Sequence, residues 1–391
     1  MSKLLERLLG RLPVGWLQLT HSRARFAAAV AGVAFANLLV FMQLGIMGAM
    51  STATLAPYNF LDADIMISAE DANTLTDGSN VARARLFQAM TVAGVESGAP
   101  LFVGILEFKL PDGTNSTLQT FATEVADRDF LSAEIAAQFS QLTQENTALI
   151  DTKTRGVDAS VFADLKGGKP FAFEVNGQTL TAIGTLELGG GFSADGTLFV
   201  SDQTFLRFFG KRSSGAPNHV LVKVADGVSP QVVAERLRSI LPAASVQVNT
   251  LAEYKAADLA YQSLERPTGI IFGFGVLIGI IVGIVIVYQV LSTDVADHLK
   301  EYATFKAMGY EHRFFLGIVL EEAGILAVFG FIPGFIVSMG LYAGLSAVTS
   351  LPVYMDGTRP FMVFFGTLAA CALSGAIATR RLAAADPADL F

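Results

Sequence analysis

The sequence predicts an α-helical membrane protein with four transmembrane helices and a mixed α/β extracytoplasmic domain set between the first two. Three observations predict it. The 391 residues are 52% hydrophobic and only 16% charged, with a mean hydropathy of +0.50, too apolar for an ordinary soluble enzyme. The apolar residues gather into runs long enough to cross a hydrocarbon core of about 30 Å, which takes roughly 20 residues of helix. Between the first two runs, residues 51–266 have ordinary globular composition and enough length to bury a core of their own.

That central stretch holds 25 Asp and Glu against 16 Lys and Arg, a balance of −9, whereas the whole chain carries −8. The acidic excess therefore belongs to the globular part, which argues against nucleic acid as a partner. The single cysteine, Cys371, lies inside an apolar run. It offers no disulfide framework and no Cys-based metal site.

Residues 1–25 carry Lys3, Arg7, Arg11, Arg23 and Arg25 against Glu6, with Leu4, Leu5, Leu8, Leu9 and Leu12 at helical spacing and then Trp16. This pattern predicts an amphipathic N-terminal segment on the membrane surface, a solvated basic tail being the other reading. The run at 26–50 is too long for the apolar part of a signal peptide and is assigned to the first transmembrane helix. Asn37 and Gln43 within it either face another helix or sit near an interface.

From 51 to 266 the pattern is that of short strands and helices. Residues 64–68, 104–110, 115–124, 219–224 and 245–249 read as strands, and Asn176-Gly177 joins 171–175 to 178–183 as a hairpin. Helices are predicted at 81–92, 129–139, 202–209 and 229–241, the last with Pro230 in its first turn. Thr250 to Leu264 reads as a stalk helix that closes this domain, separated from the next span only by Arg266-Pro267, where Pro267 marks a joint.

The second span, 267–291, carries Gly275, Gly279 and Gly283 at spacings of four, a row that lets a second helix approach closely. Its partner is either the same chain or a second copy. Residues 292–313 form a polar loop with a helical pattern, in which Val295, Leu299, Tyr302, Phe305 and Met308 make an apolar stripe and Lys306 falls on the other side. Gly309 can end the helix in a left-handed conformation. The stripe either contacts a partner or seats the helix on its own membrane core.

The third span, 314–348, is too long for one straight helix and is expected to break near Pro333. It contains Glu321 and Glu322, intramembrane acids assigned a structural or conformational role ahead of proton transport. A short loop, 349–359, leads to the fourth span, 360–379, and a tail, 380–391, that opens with Arg380 and Arg381. The basic residues of both termini and of the 292–313 loop place these segments on the cytoplasmic side and the acidic domain outside, by the positive-inside bias.

No G-x-x-x-x-G-K-[ST] loop occurs, and Gly189-Gly190-Gly191 lacks the following lysine, so it reads as a turn. His21, His219, His298 and His312 are scattered without a metal-binding spacing, and no G-x-S-x-G elbow is present. Neither a catalytic constellation nor a metal set can be assembled.

Glu-Tyr-Ala-Thr-Phe-Lys-Ala-Met-Gly at 301–309, a large external domain between spans one and two of four, the Ala-Asp-Pro-Ala-Asp ending at 385–389 and the missing nucleotide site together resemble the FtsX/MacB-type permeases of ABC transporters. Within them, Pro13 to Thr20, Val285 to Leu291 running into Thr293 to Leu299, Phe331 to Phe335 and Gly191 to Gly196 are similar to the DevC-like permeases of Gram-negative bacteria. The resemblance implies an inner-membrane, multi-pass permease that is not itself an enzyme and binds no cofactor directly, with ATP and Mg on a separate DevA/MacB-like ATPase. It further implies a homodimer among membrane lipids, a periplasmic DevB/HlyD-like membrane-fusion adaptor and a TolC-like outer-membrane channel, exporting a lipid-like or amphiphilic substrate. Residues 292–313 would then be the coupling helix that meets the ATPase through Leu299, Tyr302, Phe305, Lys306, Met308 and Gly309. The alternative within the same family is an FtsX-like signalling scaffold that activates a cell-wall hydrolase without transport. Unlike MacB, this sequence has only a basic amphipathic stretch before its first span.

Overall fold

The computed structural model describes residues 13–109, 113, 115–189 and 191–384. The leucine stripe at 4–12, Gly190 and the 385–389 motif lie outside them. Among the described residues four helices are long and apolar enough to cross a membrane. The chain divides into a helical unit (1–47, 270–344 and 353–391) and an α/β unit (48–269 and 345–352).

In the α/β unit nine strands form one sheet in the order β3-β7-β4-β6-β5-β2-β8-β1-β9, with β2 also paired to β3. The long strand β2 (Val95–Lys109) makes this possible by serving two neighbourhoods. Its first half pairs antiparallel with β8 (His219–Val224), followed by β1 (Ile65–Ala69) and β9 (Val246–Thr250). Its second half pairs with β3 (Asn115–Thr123), and Phe108 meets Val175 of β5 (Phe171–Val175), closing a six-stranded ring through β6 (Gln178–Leu186), β4 (Thr147–Asp151) and β7 (Gly196–Ser201).

The alternation of strand residues sets the cores. Ile65 and Ile67 face α3 (Ala84–Ala89) and α7 (Pro230–Ile240) with Val220, Val222, Val233 and Leu237, while Met66 and Leu221 turn to the other side with Tyr58, Leu251 and Tyr254. The ring has its own core of Phe102, Leu118, Ile150, Leu198 and Phe205, to which α5 (Ala159–Lys166) adds Phe162 and α6 (Asp202–Phe208) adds Phe208. Helix α4 (Ala133–Phe139) and α8 (Leu251–Leu264) contribute to the shared core. A capping box starts α8: Thr250 accepts from the Glu253 N–H and the Glu253 carboxylate accepts from the Thr250 N–H.

Strands β4 and β7 and helix α5 were not foreseen. Every residue of β4 and β7 is buried, so they lack the polar–apolar alternation that marks a half-exposed strand. The foreseen helix at 81–92 shrinks to 84–89, because Val81 and Arg83 donate instead to the Pro217 and Gly215 carbonyls.

In the helical unit α1 spans Val14–His21 and α2 spans Arg23–Leu55. The polar loop at 292–313 is not one helix. Helix α9 (Pro267–Asp297) runs on through Asp294, His298 leaves helical geometry at φ −95°, ψ 12°, and a separate α10 occupies Leu299–Ala307. The break expected near Pro333 does not occur, and α11 is one helix from His312 to Thr349. Pro333 lacks the N–H that a helix interior uses, yet the segment is held by packing on α2. At Gly330 a Cβ would lie 2.5 Å from Val33 Cβ, and at Gly334 2.8 Å from the Ala34 carbonyl oxygen. Phe331 and Phe335 both contact Phe41. Neighbouring helices stabilise proline in this way within apolar bundles. The fourth long helix, α12, spans Thr358–Ala384.

Candidate functional site

Around helix α10 the helical unit buries Ser292, Asp294 and Glu322. The helix ends in a Schellman motif: Gly309 has φ +94°, its N–H donates to the Lys306 carbonyl at 3.0 Å, and the Tyr310 N–H donates to the Phe305 carbonyl at 3.1 Å. Only glycine takes that backbone conformation without strain.

The apolar stripe divides into two parts. Tyr302 is 1% exposed, stacks edge-on to Phe315 at 5.5 Å and donates its hydroxyl to Gln18 Oε1 of α1 at 3.1 Å. Burial pushes its phenol pKa well above the ordinary value. Leu299 and Phe305 pack at the margin of the same core, and Phe305 also contacts Tyr310 and Phe314. Met308 is 62% and Tyr310 46% exposed, and Lys306 and Gly309 are exposed beside them. Tyr302 is thereby corrected from a partner contact to the anchor that seats α10. The surface open to a partner is Met308, Gly309 and Tyr310, with Lys306.

Beneath α10, the acids join three helices. Glu321 on α11 accepts the Trp16 N–H of α1 through Oε1 at 3.2 Å. Trp16 is the third residue of α1, whose N-cap, Pro13, supplies no side-chain cap. A carboxylate from α11 thus satisfies a donor that the helix start leaves open. Gly15 lets this happen, since a Cβ there would lie 2.9 Å from Glu322 Cγ and 3.0 Å from the Ile318 carbonyl oxygen. Glu322 is fully buried and faces Asp294, 4% exposed, near the end of α9. His298 Nδ1 lies 3.7 Å from Asp294 Oδ2 and 3.0 Å from the Asp294 carbonyl oxygen. Arg25 of α2 pairs with Asp297. Motion of α10 would therefore be felt at the ends of α9 and α11 and in α1.

The glycine row finds its partner inside the chain. A Cβ at Gly275 would meet the Gln43 side chain at 2.4 Å, at Gly279 Val40 Cγ2 at 3.0 Å, and at Gly283 Ala36 Cβ at 3.2 Å, all on α2. Asn37 of α2 accepts from the Thr367 hydroxyl of α12, and Ser374 of α12 donates to the Ile284 carbonyl of α9 at 3.0 Å. Pro267 is the first residue of α9, three residues after α8 ends. Two residues further, a Cβ at Gly269 would lie 2.2 and 2.6 Å from the carbonyl oxygens of Gln262 and Ser263, so this joint requires glycine.

Gln18, Gly15, Asp294 and Gly269 escaped the sequence reading. Gln18 and Gly15 sit in an apolar stretch without periodic signal, and Asp294 reads as the polar start of a loop. Only Gly269, two residues after a proline, had a visible cue. Among the described residues no group of three or more His, Cys, Asp and Glu is placed to hold a metal ion.

No curated protein matches the chain in sequence. In fold, part of the chain is similar to the periplasmic region of MacB from Actinobacillus actinomycetemcomitans, at 13% identity and TM-score 0.33 over 54% of this chain and 97% of that one. It is also similar to the extracellular domain of the noncanonic ABC-type transporter YknZ from Gram-positive bacteria, at 14% identity and TM-score 0.33 over 48% of this chain and 98% of that one. The family of FtsX-like permease C-terminal domains matches residues 273–387, which hold most of α9 together with α10, α11 and most of α12. Over those residues the chain is similar to the C-terminal domain of FtsX-like permeases.

Proposed function

We propose that the chain is the permease subunit of an ABC export system, driven by a separate ATPase that binds Met308, Gly309, Tyr310 and Lys306 at the exposed end of α10. One observation carries the reading: within the FtsX-like part, a short helix between two membrane-length helices is anchored by Tyr302 on one side and bare at Met308 on the other. A helix seated in this way transmits a push rather than absorbing it. Tyr302 ties it to Gln18 of α1 and Phe315 of α11, the acids at 294, 321 and 322 link α11 to α1 and α9, and the joint at Pro267 and Gly269 follows at the other end of α9.

In this reading both termini and α10 are cytoplasmic, in keeping with the basic residues at those positions, and the α/β unit is periplasmic. The permease is a DevC-like homodimer of the inner membrane. ATP and Mg stay on the ATPase, a membrane-fusion adaptor and a TolC-like channel complete the path, and the cargo is amphiphilic.

The test is affinity purification of the tagged chain from its native membrane in mild detergent, with co-purifying proteins identified and ATP hydrolysis assayed. An ATPase recovered together with a periplasmic adaptor supports export. An ATPase recovered with a cell-wall hydrolase replaces export by signalling, and recovery of no ATPase overturns the proposal.

A further inference from the structure

Within the α/β unit a cleft of about 200 Å³ opens between the end of α2, helix α8 and the residues Gly189 and 191–196. Its floor contains two polar side chains that are almost wholly buried and incompletely bonded. Asp258 of α8 is 2% exposed. Its Oδ2 accepts from the Tyr58 hydroxyl at 2.7 Å and the Leu75 N–H at 3.1 Å, whereas Oδ1 has no hydrogen-bond partner among the described residues. Gln262, one turn along α8, lies beside the carboxyl and makes no hydrogen bond to Oδ1. Gln119 of β3 is 8% exposed; its Nε2 donates to the Gly104 carbonyl at 3.0 Å, and its Oε1 has no partner among the described residues.

A buried polar atom left unbonded costs free energy on the order of 1–3 kcal/mol, and here two such acceptors line the same cleft. The surroundings hold them in place. His219 braces the Leu75 carbonyl with Nε2 at 2.9 Å and meets Ser68 with Nδ1 at 2.7 Å. Across the cleft, buried Asp151 accepts the N–H groups of Leu188 and Gly189 at 3.1 and 2.9 Å and so shapes the loop wall.

What is missing from such a floor is a donor, and its charge can be read from the rim. The nearest lining cation, Arg266, is already paired with Asp77 at 3.1 Å. That leaves Asp258 as the lining acid without a countercharge; burial raises its pKa, and a cation bound beside it is what would hold it ionised. Met50, Pro57, Leu188 and Phe192 supply an apolar wall, with Phe192 46% exposed at the mouth.

We infer that this cleft binds the ammonium head of a small amphipathic amine, with Asp258 Oδ1 and Gln119 Oε1 as its acceptors and the apolar wall along its hydrocarbon part. A cleft of about 200 Å³ has room for a short hydrocarbon chain beside the ammonium. The site lies in the α/β unit, and the inference stands whether the chain exports or signals.

The probe is n-hexylammonium, titrated by calorimetry into the full chain in nanodiscs after subtraction of empty nanodiscs, with n-hexanol and hexanoate as neutral and anionic counterparts. Saturable one-to-one binding of the ammonium is expected, at least ten-fold tighter than hexanol, with hexanoate not bound. Asp258→Asn should weaken it at least ten-fold while leaving hexanol unchanged. Should Asp258→Asn fail to fold, Gln119→Leu decides, with at least a three-fold loss expected. Equal affinity for hexanol and hexylammonium, tighter binding of hexanoate, or wild-type affinity in a folded Asp258→Asn or Gln119→Leu variant overturns the inference.

Discussion

Glu321 sits in a membrane-length helix, and such acids are by default suspected of carrying ions or protons. Its bond to the Trp16 N–H gives it a structural task, closing the start of α1. Glu321→Ala should lower the thermal stability of the full chain by about 1 kcal/mol, the ordinary cost of a lost cap, and should loosen α1 enough to raise its hydrogen exchange. Glu321→Gln keeps an acceptor and should exchange as wild type; equal exchange in both variants would refute the capping role. His219 makes a second residue-scale case. It is completely buried with both ring nitrogens engaged, and burial lowers its pKa from 6.5 to about 4. The unfolded chain then binds a proton that the folded one refuses between these values. Stability is therefore intact above pH 6.5 and falls as pH drops toward 4, by on the order of 3 kcal/mol at 1.36 kcal/mol per unit. Unfolding midpoints of the α/β unit followed by hydrogen exchange from pH 7 to pH 4 should show that decline, and a His219→Gln variant should lack most of it.

Elements were legible in proportion to how one-sided they are. The four long apolar helices and α8, with its Thr250–Glu253 box, show themselves by length or by cap. Strands with an exposed face, such as those of the β5–β6 hairpin, show their period and their Asn176-Gly177 turn. Strands β4 and β7 do not, because burial on both faces erases the period, and the ring that they complete depends on pairings dozens of residues apart. Pro333 misled for a related reason: a proline's local cost is visible in sequence, whereas the α2 surface that offsets it belongs to a helix some 300 residues earlier. Two glycines of α11 carry the prediction. Gly334→Ala drives a methyl toward the Ala34 carbonyl oxygen, while Gly344 has nothing within 4 Å. Gly334→Ala should destabilise the chain by about 1–3 kcal/mol through overpacking, and Gly344→Ala should be neutral or slightly stabilising, as expected of alanine in a helix. Thermal unfolding of both in the same nanodiscs decides it; equal midpoints would mean that α2 does not hold α11 at this point.

At the scale of the molecule, the candidate site was half legible. The pattern around 299–309 marked a helix with an apolar stripe, yet could not tell which stripe residues face inward, because that depends on Gln18 and Phe315 arriving from α1 and α11. Sorting the stripe by burial turns the coupling proposal into a separation of effects. Met308 is 62% exposed and Tyr302 1%, so a charge at 308 disturbs a surface whereas truncation at 302 opens a core. Met308→Asp should leave expression, membrane insertion and unfolding midpoint as in wild type and reduce the chain's stimulation of its ATPase at least ten-fold. Tyr302→Ala should lose stability by about 3–5 kcal/mol, the range for removing a buried aromatic ring, and lose stimulation only as a consequence. Reconstituting each variant with the co-purified ATPase, and measuring ATP hydrolysis beside the unfolding midpoint, distinguishes contact from seat. Full stimulation by Met308→Asp would move the contact away from the end of α10. Loss of stimulation together with loss of stability in Met308→Asp would make the exposed end a second part of the seat, and the push from the ATPase would then have to enter through α1 or the ends of α9 and α11.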